Sequence, residues 1–262
     1  CVYFVKATKK TKNTKPVVSI IMPVYNERNT VKQSLEAVLN KNLDGINKEV
    51  IIVESNSTDG SREEVQKYQD NPVVKLILED APHGKGHAVR TGLARATGDI
   101  CLIQDADLEY DVDDYEALFK PILQYHNAFV LGTRHSNDWK LRHFNEDKAL
   151  AFYFNFGHFI FLSILNTMYK QKLTDPFTMY KVFRRDCLYG LKFDANRFDF
   201  DFEIVIKLIR KGFNPIEIPV NYNARSIKEG KKVNPLWDPF TWVWALIKYR
   251  FADIYDKKIT GD

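Results

Sequence analysis

The chain has 262 residues, 45% hydrophobic and 27% charged, a length and composition that suit one large α/β domain or one and a half. Its net charge of +4 suits anionic substrates and an anionic membrane surface, and no Lys/Arg-rich helix with interleaved aromatics offers a groove reader, so nucleic acid is not expected as a partner. The three cysteines, Cys1, Cys101 and Cys187, are odd in number and far apart, so neither a zinc site nor a disulfide framework follows.

A reducing cytoplasm fits that cysteine usage. Cys101 reads as a small core residue. The first residue is Cys1 rather than Met, and Cys1–Val5 is apolar. Lys6, Lys9, Lys10, Lys12 and Lys15 follow in a polar stretch, so residues 1–16 read as a solvated tail, a linker from an upstream domain or a juxtamembrane flank, the first being favoured. No signal peptide is visible.

Residues Val17–Glu27 read Val-Val-Ser-Ile-Ile-Met-Pro-Val-Tyr-Asn-Glu, a continuous apolar run typical of a strand buried on both faces, which ends in Pro23 and a polar turn. Val31, Leu35, Val38 and Leu39 then recur at helical spacing. A second strand, Val50–Val53, runs into Glu54-Ser55-Asn56-Ser57-Thr58-Asp59-Gly60-Ser61 and a short helix. Val73–Leu78 predicts a third strand and Gly86–Ala96 a third helix. Strand and helix alternate, which points to a parallel sheet with helices on both faces.

The next strand carries the most informative feature. Residues 100–107 read Ile-Cys-Leu-Ile-Gln-Asp-Ala-Asp, an apolar strand delivering two carboxylates one residue apart. Ligands of open α/β sheets sit outside the carboxyl ends of the strands, and i and i+2 side chains of extended chain face the same way. Asp105 and Asp107 together suit a hard divalent cation, Mg2+ or Mn2+, which in turn holds phosphate. Gln104 and Glu109 lie close enough to assist from behind them. The triplet is cheap by itself, since Asp111–Asp113 and Asp199–Asp201 repeat it.

Arg134 closes another apolar run, Ala128–Gly132, and an arginine there offers two parallel hydrogen bonds to phosphate. Leu150–Met168 is strongly apolar, but Asn155, Gly157 and His158 interrupt it. An interfacial or re-entrant packing helix fits better than a span. Phe240–Phe251 sets Trp242, Trp244, Leu246 and Ile247 beside Lys248, Tyr249 and Arg250, a composition suited to a headgroup boundary. No Gly-x-x-x-x-Gly-Lys-[Ser/Thr] loop and no Gly-x-Gly-x-x-Gly after the first strand occur, which argues against P-loop and nicotinamide chemistry.

In order along the chain stand Pro23-Val-Tyr25-Asn-Glu27, Ser57-Thr-Asp59-Gly-Ser61, Gly84-Lys85-Gly86 and Asp105-Ala-Asp107. Further on come Asp175-Pro-Phe-Thr178-Met-Tyr-Lys-Val-Phe-Arg-Arg185, the acidic segment Phe198–Gly212 and Arg225-Ser-Ile-Lys228-Glu-Gly-Lys231-Lys232. This series resembles family 2 glycosyltransferases of the GT-A fold, and its later members resemble the dolichyl-phosphate mannose synthase branch. The resemblance spans roughly Val17 to Phe251. It departs in the second loop, where many members have Asp-Asp and this chain has Glu54-Ser55-Asn56.

The resemblance implies an α/β fold: an open, mostly parallel GT-A sheet flanked by helices, with C-terminal amphipathic or interfacial helices. It suggests a catalytic domain over 17–235 and an amphipathic helical region over 236–262. It implies a metal-dependent inverting transfer from a UDP- or GDP-linked sugar, with Asp105 and Asp107 holding the metal. Pro23, Tyr25, Glu27, Ser55, Asp59, Lys85 and Asp105 would line the donor site, with Asp107, Asp175, Arg134 and Arg225 catalytic. Thr178, Asp201 and Glu203 fall on the acceptor side.

The acceptor expected is a polyprenyl phosphate at the cytoplasmic face of a membrane. Such a phosphate is ionised at neutral pH and attacks without a strong base, whereas a glycan, lipid or protein hydroxyl needs one. Asp175, Asp201 and Glu203 are the candidate bases, although Asp175-Pro176 also reads as turn chemistry and Asp199–Glu203 as a helix start. Two other classes stay open: a nucleotidyltransferase on a similar sheet, and a non-catalytic sugar-nucleotide-binding domain of a larger protein.

Overall fold

The computed structural model describes residues 15–134, 148–224 and 238–256. Five apolar runs become the strands β1 (Val17–Val24), β2 (Asn47–Glu54), β3 (Val74–Leu78), β4 (Ile100–Ile103) and β5 (Phe129–Thr133). Two more, β6 (Lys181–Arg184) and β7 (Ile216–Pro219), complete the sheet. Among the described residues the order is β3-β2-β1-β4-β6-β5-β7. Every strand runs parallel except β6, which lies antiparallel between β4 and β5.

That reversed strand departs from simple strand–helix alternation. Lys181–Arg184 is short and lies inside a stretch legible chiefly as an acceptor-side motif. Its residues Val182 and Phe183 are wholly buried, so the sheet centre decides its conformation.

Helices α1 (Val31–Asn40), α2 (Ser61–Gln66), α3 (Lys85–Arg95) and α4 (Tyr115–Gln124) connect the early strands. On α1 the buried positions are Val31, Ser34, Leu35 and Val38, the 3.6-residue stripe that the sequence predicts. Helices α5 (Lys148–Tyr169), α6 (Phe200–Arg210) and α7 (Asp238–Phe251) form the later part of the chain. Phe161, Leu162, Leu165 and Tyr169 of α5 are buried, and Phe161 and Phe177 stack near Phe202 of α6 and Trp242 of α7. Among the described residues no helix is long and apolar enough to cross a membrane. The apolar stretch at Leu150–Met168 is accordingly a packing helix over its described side chains. It still leaves Phe159 and Ile160 exposed. Cys101 and Cys187 are buried free thiols, as expected for Cys101.

The topology places the site. The chain steps from β1 outward to β2 and β3, then returns to β4 on the other side of β1. The strand order reverses between β1 and β4, and a crevice opens at the carboxyl ends of such a pair. Pro23 helps open it. Val17 and Ile21 turn their carbonyls toward β4, accepting from Asp99 and Gln104 N–H. Pro23, two residues beyond Ile21, therefore sets its missing N–H on that same side. The β1–β4 register stops at Ile21 and Ile103, while β1 stays paired with β2 through Val24. A proline costs no ladder bond where the ladder has already ended.

Candidate active site

Three loops converge at the crevice. The loop after β1 is sewn to the loop after β2: Asn26 N–H donates to Ser57 Oγ at 2.9 Å, Thr58 N–H to Asn26 Oδ1 at 2.9 Å and Glu27 N–H to Ser61 Oγ at 2.9 Å. Asn26 pays for this with a left-handed backbone, φ 51°, which asparagine tolerates. Asp59 receives Arg28 N–H at 3.0 Å, Ser61 N–H at 3.0 Å and Ser61 Oγ at 2.6 Å. Desolvation acts upward on this carboxyl, and the Ser61 and Arg28 donors outweigh it, holding the pKa below the ordinary aspartate value. Asp59 therefore fastens the two loops together. The Glu27 carbonyl receives Thr30 and Val31 N–H at the start of α1, and Tyr25 stands half-exposed at the rim.

A buried polar cluster underlies the second loop. The Glu54 carboxylate is fully buried, accepts Ser57 N–H at 2.6 Å and pairs with Arg62. Ser55 Oγ donates to Glu79 Oε2 at 2.7 Å, and His87 Nδ1 lies 2.8 Å from Glu79 Oε1. A carboxylate thus reaches the second loop from the end of β3. Glu79 and His87 were not legible as site residues, because each stands alone in the sequence and only the fold joins them to Ser55.

Lys85 is the first residue of α3. Gly84 precedes it at φ +97°, a conformation that glycine adopts without strain. A Cβ on Gly86 would lie 2.6 Å from Phe200 Cβ and 2.7 Å from the Arg197 carbonyl oxygen. The two glycines let the start of α3 press against the 195–200 segment, which fixes the backbone from which Lys85 reaches. Its Nζ lies 2.7 Å from Asp105 Oδ2 and 3.3 Å from Met179 Sδ. Burial works against its charge, but Asp105, Asp201 and Asp107 outweigh burial and hold the ammonium above the ordinary lysine pKa.

Asp105 and Asp107 lie beyond the end of β4, in a loop rather than in the strand itself. Tertiary support, not pleat geometry, keeps them together. Gln104 is buried; its Oε1 accepts Tyr115 OH at 2.8 Å and Tyr180 OH at 2.9 Å, and its Nε2 donates to the Asp105 carbonyl at 2.9 Å. Asp107 Oδ1 receives Glu109 N–H at 3.1 Å. Burial, then the charges of Asp105 and Glu109, push the Asp107 carboxyl up to about 7. Burial is the larger cause and the neighbouring carboxylates add to it, while Lys85 acts the other way. Among the described residues no three or more His, Cys, Asp or Glu gather for a metal ion. Two carboxylates suffice for Mg2+ or Mn2+ when phosphates and water supply the remaining ligands.

On the far side of the crevice, Arg134 follows β5 and grips Asp175, with Nε 2.7 Å from Oδ2 and Nη2 2.7 Å from Oδ1. Its guanidinium lies 5.0 Å from the centroid of the Tyr222 ring, and Tyr222 OH donates to Glu109 Oε2 at 2.7 Å. Asp175 is completely buried, and Glu217 caps its N–H at 2.7 Å. A wholly buried carboxylate held at both oxygens is poorly placed to collect a proton from an acceptor, so the arrangement favours Asp175 as the anchor of Arg134 over the base. Thr178 is buried, with Oγ1 3.4 Å from Tyr110 OH. Its carbonyl accepts from the buried ammonium of Lys181, which also lies 3.4 Å from Asp201 Oδ1. Asp201 thus joins the Lys85–Asp105 side of the crevice.

Glu203 does not reach the crevice through its carboxylate. It is fully buried, accepts Asp194 and Ala195 N–H at 3.0 and 2.9 Å, and pairs with Lys207 at 2.7 Å. This acid ties α6 to the loop before it. Arg225 and the basic positions 228, 231 and 232 lie outside the described residues.

Comparison with known proteins agrees with this architecture. The family model Glycosyl transferase family 2 matches residues 19–191. A dolichol-phosphate mannosyltransferase of Pyrococcus furiosus is 25% identical over 233 residues, 88% of this chain and 64% of that protein. The dolichyl-phosphate beta-glucosyltransferase ALG5A of Trichomonas vaginalis is 27% identical, over 79% of this chain and 65% of that protein. The chain thus spans just under two thirds of the length of both relatives. A crystal structure of glucosyl-3-phosphoglycerate synthase from Mycobacterium tuberculosis, in complex with Mn2+, UDP and phosphoglyceric acid, superposes with a TM-score of 0.64 at 17% identity, covering 97% of this chain and 88% of that one. The crevice at the strand reversal, with its paired acids, lies within the matched residues, and the chain belongs to glycosyl transferase family 2.

Proposed function

We propose that this domain moves a sugar from a nucleoside-diphosphate sugar to a polyprenyl phosphate, with inversion and with Mg2+ or Mn2+ held by Asp105 and Asp107. The observation that carries the reading is the pair of acids at the strand reversal, Asp107 buried and Asp105 partly buried, with Lys85 Nζ 2.7 Å from Asp105 Oδ2. A divalent cation supplies neutralisation of the charge that builds on the departing diphosphate.

The chain's own residues do the rest. Tyr25, Ser55 and the loops fastened by Asp59 receive the nucleoside, whether uridine or guanosine. Pro23 and Glu27 shape the floor and edge of that pocket. Lys85 faces the diphosphate. Arg134, held by Asp175, offers its planar guanidinium to the acceptor phosphate, with Arg225 as a further phosphate contact and Thr178 beside them. The acceptor oxygen forms a bond to the anomeric carbon while the bond to the diphosphate oxygen breaks, its electron pair leaving with the nucleoside diphosphate. No proton need be removed from an acceptor that is already ionised.

Two matches support the lipid acceptor: the mannosyl- and glucosyltransferases above are named for dolichyl phosphate. So does one face of α7. Trp244, Ile247 and Phe251 recur there at helical spacing and are 65%, 40% and 81% exposed, with Lys248 and Arg250 exposed beside them. An apolar stripe flanked by cations suits an anionic lipid surface. This reading puts the domain on a membrane face, peripheral or tethered, and takes that face to be the cytoplasmic one.

Purified protein should be given UDP- and GDP-linked sugars with polyprenyl phosphate and Mn2+ or Mg2+. Formation of a metal-dependent lipid-linked sugar of inverted anomeric configuration bears the proposal out. Transfer only to glycan or protein hydroxyls refutes the lipid acceptor, and nucleotide binding without turnover refutes catalysis.

A further inference from the structure

The acid pair already has a cation. Lys85 Nζ sits 2.7 Å from Asp105 Oδ2, in a partly enclosed position where the lysine side chain is 21% exposed and the aspartate 14%. The ammonium is delivered from a backbone that Gly84 and Gly86 lock against residues 195–200. The side chain is flexible while its root is fixed, so the ammonium can swing without any movement of the sheet. A second acid, Asp201, stands on the same side of the crevice, with the buried Lys181 ammonium 3.4 Å away. A divalent ion held by Asp105 would stand close to the Lys85 ammonium, and two cations sharing one carboxylate in a partly enclosed site repel each other.

We infer that Lys85 is a built-in occupant of the divalent-cation position, released from Asp105 only when a nucleoside diphosphate enters. In the donor-free protein the ammonium neutralises Asp105 and keeps the metal weakly bound. An arriving diphosphate brings negative charge for Lys85 and oxygen ligands for the metal. Lys85 would then turn from the Asp105 carboxylate to the phosphate, leaving Asp105 and Asp107 to hold the divalent ion. Metal and donor then bind as a coupled pair, each strengthening the other by the same factor. This inference rests on the assignment of Asp105 and Asp107 as metal ligands.

The test measures binding, not turnover. Mn2+ affinity is determined by titration calorimetry and by the electron paramagnetic resonance of free Mn2+, with and without UDP or GDP. The proteins are wild type, Lys85→Gln, Lys85→Met and Lys85→Arg. Without nucleotide, Lys85→Gln and Lys85→Met should bind Mn2+ more tightly than wild type by a factor on the order of 5 to 150, the usual range of coupling between two ligands. Lys85→Arg should stay weak, since it keeps a cation on Asp105. Nucleotide should strengthen Mn2+ binding far more in wild type than in the Gln and Met variants. Either neutral variant suffices if the other misfolds, and the nucleotide effect must be larger in wild type than in that variant.

If Mn2+ binds wild type with nucleotide while the neutral variants gain nothing without it, the occupant role fails and the metal assignment survives. If Mn2+ binds none of these proteins even with UDP or GDP, the metal assignment falls and this inference falls with it.

Discussion

Arg134 and Asp175 meet as two forks: two guanidinium nitrogens each lie 2.7 Å from a different carboxylate oxygen, and Arg134 N–H reaches Oδ2 at 3.0 Å. The acid is fully buried and the arginine side chain is 14% exposed. Three donors on one carboxylate fix both the side chain of Arg134 and the turn that carries it. Asp175 positions the arginine, which the proposed mechanism offers to the acceptor phosphate.

Replacing Asp175 separates this role from that of a general base. Asp175→Ala strands a mostly buried guanidinium, and breaking such a pair costs about 3–5 kcal/mol of stability, readable as a fall in Tm. Asp175→Asn keeps the shape and one acceptor oxygen. Its kcat/KM for transfer should fall about 10- to 100-fold with the pH profile unchanged in shape. Loss of the acidic limb of that profile in Asp175→Asn would mean that Asp175 itself takes the proton.

The acid pair makes a sharper prediction. Asp107→Asn removes a charge from a position where charge is costly to the fold, so the variant should be folded, with an unchanged near-ultraviolet dichroism spectrum. Transfer should fall by about three orders of magnitude, the scale at which removal of a preorganised electrostatic group acts. Full metal-dependent turnover by Asp107→Asn would remove this residue from the ligand set.

At the opposite end of the sheet, Glu49 is a structural acid. It accepts Ser19 Oγ at 2.5 Å, Thr97 N–H at 2.7 Å and Thr97 Oγ1 at 2.8 Å, and Lys75 Nζ lies 2.6 Å away. Burial pushes this carboxyl upward. The bonds from Lys75, Ser19 and Thr97 outweigh it and pull the pKa from 4.5 down to about 2. A folded value below the unfolded one means that the charged form stabilises the fold. The gain is complete above about pH 4.5 and disappears as pH falls through 2. Glu49→Gln should therefore lose about 2–3 kcal/mol at pH 7. Urea melts repeated downward from pH 7 should show the gap to wild type narrowing below pH 4.5. A constant gap would assign the loss to packing instead of charge.

The sequence made β1, β2 and β4 legible because they are continuous apolar runs, and α1 because Val31, Leu35 and Val38 share one face. It made Asp105 and Asp107 legible because a buried strand ends just before them. The reversed strand β6 was not legible, since four residues carry no periodicity and their burial comes from neighbours distant in the chain. Nor was the pairing of Arg134 with Asp175, 41 positions apart. Glu203 shows the converse: a motif-like acid whose partners, Lys207 and the N–H groups of 194 and 195, make it a brace for α6. Residue type announced chemistry in each case, and only the fold decided which group each charge faces.

The exposed face of α7 yields the last prediction. Trp244, Ile247 and Phe251 spend most of their surface on water, so replacing them should cost the fold little. Each large apolar side chain moved into lipid is worth about 1.5–3 kcal/mol, and each basic residue near an anionic surface about 1 kcal/mol. Trp244→Ser with Phe251→Ser should leave Tm nearly unchanged and weaken binding to vesicles containing phosphatidylserine by at least about 100-fold. Lys248→Gln with Arg250→Gln should weaken it by roughly tenfold to thirtyfold and make the remainder less sensitive to salt. Sedimentation with sucrose-loaded vesicles reads both. Equal binding by wild type and the double serine variant would show that this face meets something other than lipid.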